Sequence, residues 1–391
     1  MRARRRRSVL VLMLMVAFAL LAGTFVASCG HGPAAPAGRG EPGVLSVRGV
    51  DLSTALLAEA AGIRYSAGGA AEPIERILAD VGANYVRLRL WVNPPAGYGD
   101  EASALALARR AAAAGMKIFL DFHYSDTWAD PKHQTTPAAW RGDDLEALAT
   151  RVRDYTRRVV ADFARQGTPA DLVQVGNEIS NGMLWPLGRL TDGQPGGWPG
   201  FLALVRAGVD GARDGGPAGH RPRIALHSDR VGDPAGSHTF FDRLTAAGIP
   251  FDVIALSYYP FWHGPLDALR ATMDDLARRY RGDVLVAETG YPWTMAGGDP
   301  VLGVADPDRL PEASRFPPTP EGQRAYFGAL REVIRQVPDG RGLGFVAWEP
   351  GWLAGVGWEP GATAPFTNLT LFDHEGGLLP AARAAFAPPG S

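Results

Sequence analysis

Two glutamates stand where short apolar runs give way to polar residues: Glu178 in "VQVGNEISNG" and Glu288 in "VLVAETGYPW". A carboxylate at the end of a buried strand is either an ion-pair partner or a reagent. Arg87 and Arg89 in "NYVRLRLWV" supply the first option, a salt bridge to either glutamate. The second option is glycoside hydrolysis. One carboxyl must be protonated to donate to the leaving oxygen, and the other ionised to attack carbon or activate water. The company the glutamates keep favours chemistry. Asn177 precedes Glu178, Asp121 and His123 close "KIFLDFHY", and His227 with Asp229 closes "RIALHSD". Tyr258 and Tyr259 end "DVIALSYYP", Trp348 and Glu349 end "GFVAWEP", and Asp51 ends "LSVRGVDLS". Strand alternation places Asp121 with His123 on one face, and Arg87 with Arg89 on another.

Something must carry these strand ends to one place. Eight apolar runs, each too short for a helix, alternate with segments of helical period such as "PIERILADVG", "DLEALATRVRDYTRRVVADFARQG" and "LDALRATMDDLARRYRG". Several of these close on Gly just before the next strand. The pattern predicts an α/β protein with a single (β/α)8 TIM barrel over residues 45–391, whose active site lies at the C-terminal ends of the strands. A doubly wound open sheet is the alternative, but no Gly-rich fingerprint follows the first strand.

The totals narrow the function classes. Of 391 residues, 46% are hydrophobic and 20% charged, and the formal net charge is −2, so no positive field draws the chain to nucleic acid. With one cysteine there is neither an internal disulfide nor a Cys-based zinc site. That cysteine, Cys29, follows a basic start and a long apolar run. "VASC" resembles the bacterial lipobox, so residues 1–28 are expected to be a lipoprotein-type export signal, with lipidation at Cys29. The competing reading is an ordinary cleaved signal or a single anchoring helix. Residues 29–44 read as a flexible tether. The expected location is extracytoplasmic and anchored to a membrane, otherwise secreted, with a monomer as the default state.

"NYVRLRLWVNP", "FLDFHYSDTWADPKHQTTPAAW", "VQVGNEISNGMLWP", "FDVIALSYYPFWHG", "VAETGYPW" and "FVAWEPGWL" together resemble glycoside hydrolase family 53. These are the arabinogalactan endo-β-1,4-galactanases of the retaining (β/α)8 clan A. The resemblance runs from about residue 47 to "NLTLFDHEGGLLP". It implies that Glu178 is the acid/base, that Glu288 is the nucleophile and that the substrate is a galactan polysaccharide or oligosaccharide. Trp348 resembles the clan's platform under the sugar at the cleavage point.

Asn177 is suited to hold a sugar 2-hydroxyl, and Arg89 with Tyr258 to keep Glu288 ionised, although Arg87 could do the same. Asp121, His123, His227 and Asp229 are expected to bind substrate. Trp91, Trp128, Trp262, Trp293 and Trp352 are candidates for stacking along the cleft.

No cofactor is required by this chemistry, and no metal ligands are assigned. A structural calcium in the loop carrying Asp299, Asp306 and Asp308 is compatible with the resemblance. The rival readings are a noncatalytic carbohydrate-binding surface lipoprotein, or a clan A glycosidase acting on another β-1,4-glycan.

Overall fold

Apolar runs of five to seven residues must bury both faces, and parallel strands wrapped by helices allow this. The computed structural model describes residues 45–94, 98–190, 196–299, 306–353, 356 and 364–388. The expected export segment, Cys29 and the tether lie outside the described residues, as do residues 300–305 of the proposed calcium loop. The strands are β1 (Val47–Asp51), β2 (Tyr85–Leu90), β3 (Lys117–Phe122), β4 (Ala170–Val175), β5 (Arg223–Ser228), β6 (Val253–Tyr258), β7 (Asp283–Thr289) and β8 (Gly342–Ala347). All pair in parallel and in chain order, and β8 pairs with β1, so the sheet is a closed barrel rather than an open one.

The helices between strands are those the periodicity marks. Leu145–Arg165 begins with Asp144 accepting the Ala147 amide and buries Leu148, Val152, Val159, Val160 and Phe163 on its sheet face. Glu101–Ala113 is capped in the same way by Asp100. Helix Pro320–Arg335 is capped by Thr319 and has Pro at its first turn.

Inside the barrel, Val47, Tyr85, Phe119, Leu172, Ala225, Val253, Ala255, Leu285, Ala287, Leu343 and Val346 form an apolar cluster of their own. Moving two residues up several of these strands changes the chemistry: Tyr85 is followed by Arg87 and Arg89, Phe119 by Asp121, Leu172 by Gln174, Ala225 by His227 and Ala255 by Ser257. Period-two alternation thus places an apolar plug at the base and a polar layer above it.

One irregularity matters for the site. Leu256 on β6 pairs with Val286 on β7, but the next residue, Ser257, pairs with Glu288. The skipped residue, Ala287, is the extra one of a β-bulge. The bulge lets Glu288 join the inward set although Ala287, just before it, is also inside.

Candidate active site

Arg87 is the hub. Its side chain is 1% exposed, and its guanidinium lies 2.9 Å from each of Asp51 Oδ2, Asp121 Oδ2 and Glu288 Oε1. It also donates to Asn177 Oδ1 at 2.9 Å. A planar fork of fixed N–H directions suits such a junction, since one group must satisfy several acceptors at set angles. Asp121 is held down to about 2: burial opposes ionisation, but Arg87 and then His123 outweigh it.

Arg89, one step up the same face, does something else. It contacts Glu349 Oε1 at 3.2 Å and lies 4.0 Å from the Trp128 ring centroid and 5.0 Å from that of Trp91. The expected pairing of Arg89 with Glu288 is therefore corrected: Arg87 holds Glu288. Both arginines share a face, so alternation could not separate them; their height in the barrel does. Glu349 accepts from Thr54 Oγ1 at 2.5 Å. Burial, reinforced by Asp51, raises it to about 8 despite Arg89.

Tyr258 is the second correction. It points to the outer layer, where its hydroxyl donates to the Gly264 carbonyl at 2.9 Å and its body is fully buried. Its neighbour Tyr259 approaches Glu288 Oε2 at 3.4 Å. Parity explains the difference, because Val253 and Ala255 face inward and Ser257 and Tyr259 continue that set.

Four further residues expected to touch substrate hold protein partners beneath the glutamates. Asp121, fully buried, takes His123 Nε2 at 2.9 Å and Gln174 Nε2 at 2.5 Å besides Arg87. His123 spends its other nitrogen accepting from Trp91 Nε1 and the Ala129 amide. His227, also fully buried, uses Nε2 with Ser257 and Nδ1 with Gln174, Asn177 and Glu178. Asn177 accepts from Arg87 and Gln174 through Oδ1 and donates to the Ala129 carbonyl at 2.8 Å. These residues build a floor under the glutamates.

The two glutamates differ in what they touch. Glu288 has Arg87 and Tyr259. Among the described residues Glu178 has neutral hydrogen-bond partners: Ser257 Oγ donates to its Oε1 at 2.6 Å, its amide approaches His227 Nδ1 at 3.3 Å, and Gln134 Nε2 reaches its carbonyl at 3.4 Å. Burial, followed by repulsion from Glu288 and Asp229, pushes Glu178 well above the ordinary carboxyl range. Burial also raises Glu288, to about 7, with Arg87 pulling against it. The pair is therefore split: Arg87 favours ionised Glu288, and among the described residues no cation pairs with Glu178. Glu178 sits at φ 47°, ψ 52°, a left-handed conformation that turns the chain sharply as it leaves β4.

The aromatic residues separate into wall and core. Trp128 stacks on Trp352 with 16° between planes, and Trp348 meets both rings and Phe366 at wider angles. Trp91 and Trp352 are buried, so they support the wall rather than face a ligand. Trp128 and Trp348 are half-buried, and Trp262 is 45% exposed beside Tyr259 and Phe366. Trp293 is half-buried and donates to Thr370 Oγ1 at 3.3 Å. Asp229 is half-buried, with Oδ1 lacking a hydrogen-bond partner among the described residues. Asp306 is an exposed helix cap for the Asp308 amide. Among the described residues, no three His, Cys, Asp or Glu side chains gather in a way that could hold a metal ion.

Sequence reasoning passed over Gln174 and Ser257, and placed Tyr259 and Glu349 at the rim without giving them a role. Gln174 and Ser257 carry no charge to flag them, but both occupy inward positions by strand parity.

A closed parallel barrel with two unlike carboxyls at its mouth above a polar floor defines a (β/α)8 enzyme of the glycoside hydrolase class. Comparison with known proteins makes this specific. Residues 47–385 match the sequence profile of Glycosyl hydrolase family 53, and the chain belongs to that family. It is 41% identical over 323 residues to a probable arabinogalactan endo-β-1,4-galactanase A of Aspergillus terreus, covering 80% of this chain and 88% of the relative. The arabinogalactan endo-β-1,4-galactanase A of Aspergillus niger is 36% identical over 316 residues, covering 79% and 86% respectively. Among solved structures, the GH53 catalytic domain of Ignisphaera aggregans aligns with TM-score 0.81 at 32% identity, over 88% of this chain and 96% of that one. A fungal β-1,4-galactanase aligns with TM-score 0.77 at 32% identity, over 87% and 99%.

Proposed function

We propose that this glycoside hydrolase is a retaining endo-β-1,4-galactanase acting on type I arabinogalactan and pectic galactan by double displacement. The observation that carries the reading is the asymmetry of the two glutamates. Arg87 lies against Glu288 and Tyr259 is within reach of its other oxygen, as a nucleophile that must be ionised requires. Among the described residues Glu178 has no cation paired with it and is pushed well upward by burial and by Glu288, as a group that must first arrive protonated requires. In the first step Glu288 attacks the anomeric carbon while Glu178 gives its proton to the leaving oxygen. In the second, Glu178 takes a proton from water, which displaces Glu288. Trp128 and Trp348 supply apolar faces against which a sugar ring can stack. The galactan preference rests on the likeness to galactanases from fungi.

Azide tests the assignment. An activated aryl galactoside leaves without protonation, so Glu178→Ala should accumulate the glycosyl-enzyme, and azide should release β-galactosyl azide. Glu288→Ala should give the α-azide by direct attack. The opposite pair of products would reverse the roles, and wild-type turnover of galactan by both variants would place the chemistry elsewhere. Products from linear β-1,4-galactan, compared with those from β-mannan and cellulose, test the substrate.

We further propose that the enzyme works as a monomer outside the cytoplasm, anchored by lipid at Cys29, without a cofactor. The Cys29→Ala chain should then leave the membrane fraction with its activity intact. Retention in the membrane would point to a spanning anchor instead.

A further inference from the structure

Glu178 belongs to a ring of hydrogen bonds that begins and ends on itself. Its amide approaches His227 Nδ1 at 3.3 Å, His227 Nε2 lies 3.0 Å from Ser257 Oγ, and Ser257 Oγ reaches back to Glu178 Oε1 at 2.6 Å. We propose that Ser257 and His227 are positioning residues that fix which oxygen of Glu178 carries the catalytic proton. This rests on Glu178 being the acid/base.

The direction of the ring decides its effect, and the neighbours decide the direction. His227 Nδ1 faces two donors, the Glu178 amide and Gln174 Nε2 at 3.1 Å, and one acceptor, Asn177 Oδ1 at 2.9 Å. Asn177 Oδ1 already takes Arg87 Nη2 at 2.9 Å. Gln174 Nε2 gives one hydrogen to Asp121 Oδ1 at 2.5 Å and has one left for its other neighbours, among them Asn177 Oδ1 and His227 Nδ1, each at 3.1 Å. The Asn177 amide cannot be turned round, because its Nδ2 donates to the Ala129 carbonyl at 2.8 Å and its Oδ1 receives Arg87.

Placing a proton on His227 Nδ1 would strip the Glu178 amide of this acceptor and set two donors against each other. Nδ1 therefore accepts from the Glu178 amide, and Gln174 Nε2, with its remaining hydrogen, lies 3.1 Å from both Nδ1 and Asn177 Oδ1. Nε2–H then donates to Ser257 Oγ, and the Ser257 hydroxyl has Glu178 Oε1 as its acceptor.

The consequence falls on the second carboxyl oxygen. With Oε1 occupied by a donor, the proton of neutral Glu178 must sit on Oε2, to which no described residue donates a hydrogen bond. The same oxygen is left to receive the proton of water in the second step, so the ring need not reverse during turnover.

His227 stays neutral throughout. Burial drives its pKa well down and Arg87 adds to this, against Asp121, while His123 pushes the same way as Arg87. The charged groups facing Glu178 are Glu288, Asp229 and Asp130, and all three disfavour its ionisation.

The experiment pairs spectroscopy with leaving-group dependence. In full-length enzyme labelled with 15N-histidine, the His227 resonances, assigned by their loss in His227→Asn, should show Nε2–H and bare Nδ1 across the active pH range. Ser257→Ala should lose about tenfold or more in kcat/KM on β-1,4-galactan, part of the roughly 10²–10⁴-fold that general acid catalysis contributes. On an aryl galactoside whose leaving group needs no proton, the same variant should lose less than about twofold in the glycosylation step. Ser257→Thr, which keeps the hydroxyl, should recover most of the galactan activity.

An Nδ1–H tautomer in wild type, or equal losses on both substrates in Ser257→Ala, would overturn the proposal. Should His227→Asn fail to fold, selective loss of the resonance perturbed by Ser257→Ala provides the assignment. Azide rescue of Glu178→Ala is read alongside. Rescue combined with equal losses sinks the positioning ring alone, whereas absence of rescue sinks the acid/base role beneath it.

Discussion

The base and the mouth of the barrel are made by the same eight strands, yet they follow opposite rules. At the base, Val47, Phe119, Leu172, Val253 and Leu285 interdigitate without a polar atom among their side chains. Further along the strands, Arg87, Asp121, Gln174, His227 and Ser257 fill the interior with groups that are each costly to bury alone. The base can change in shape and still hold, because hydrophobic contact is non-directional. The mouth cannot, because its hydrogen bonds and ion pairs are directional and removing one partner leaves a buried polar or charged group uncompensated. Stability is distributed over the whole molecule, while the chemistry rests on a few positions that depend on each other.

The sharpest way to break the comparison is to remove the reagent itself. Glu288→Ala should lose at least about 10⁴-fold in kcat on galactan, in line with deletions of other nucleophiles. Its circular dichroism should stay that of wild type, since Arg87 keeps Asp51 and Asp121.

Arg87→Met is expected to come next, and it should hurt both properties. Three carboxylates lose their shared cation, so stability should fall by about 3–5 kcal/mol in denaturant titration. Glu288 should also move further up, so the rising limb of the kcat/KM profile shifts to higher pH.

In wild type that limb should lie near 7, where Glu288 ionises, and activity should fall again at higher pH as Glu178 gives up its proton. A rising limb near 4 would show that Arg87 dominates burial.

Leu285→Ala provides the contrast from the base. It should cost about 2–5 kcal/mol of stability while kcat per folded molecule stays within about twofold. A large loss of kcat would show that the two layers are mechanically coupled.

The smallest effect is expected of Glu349→Gln. With Glu349 held up to about 8, little charge is lost at pH 7 when an amide replaces it, so activity should fall less than in the variants above. The amide nitrogen then has to face either Arg89 or Thr54. The sign of its pH dependence is fixed. Below about pH 4 the folded and unfolded carboxyl are both protonated, and Glu349 contributes no pH dependence. Between about 4 and 8 only the unfolded chain ionises, so wild type loses stability as pH rises, and the glutamine variant should lose less.

The distinction between base and mouth also marks what the sequence could disclose. The eight strands were legible because each is a short apolar run with a helical period following it. Glu178 and Glu288 were legible because a carboxylate at such a run's end is conspicuous. The choice between Arg87 and Arg89 was not, since both obey the same alternation and only their height along β2 sets their partners. Tyr258 drew attention that belonged to Tyr259, although parity counted from Val253 would have corrected it. The bulge at Ala287 leaves no mark in residue types. Ser257 and Gln174 were overlooked because neutral side chains announce nothing until their neighbours are known.

The backbone at Glu178 has a consequence for engineering. A non-glycine residue at φ 47° carries about 1–3 kcal/mol of conformational cost, and Glu349 at φ 41° repeats it on another rim. Glycine at position 178 would relieve that cost and remove a carboxyl that repels Glu288. The inactive Glu178→Gly enzyme should thus melt above the working one. Selection for thermal resistance alone would drift towards such a substitution, so any search for hardier variants of this barrel has to screen for turnover at every round.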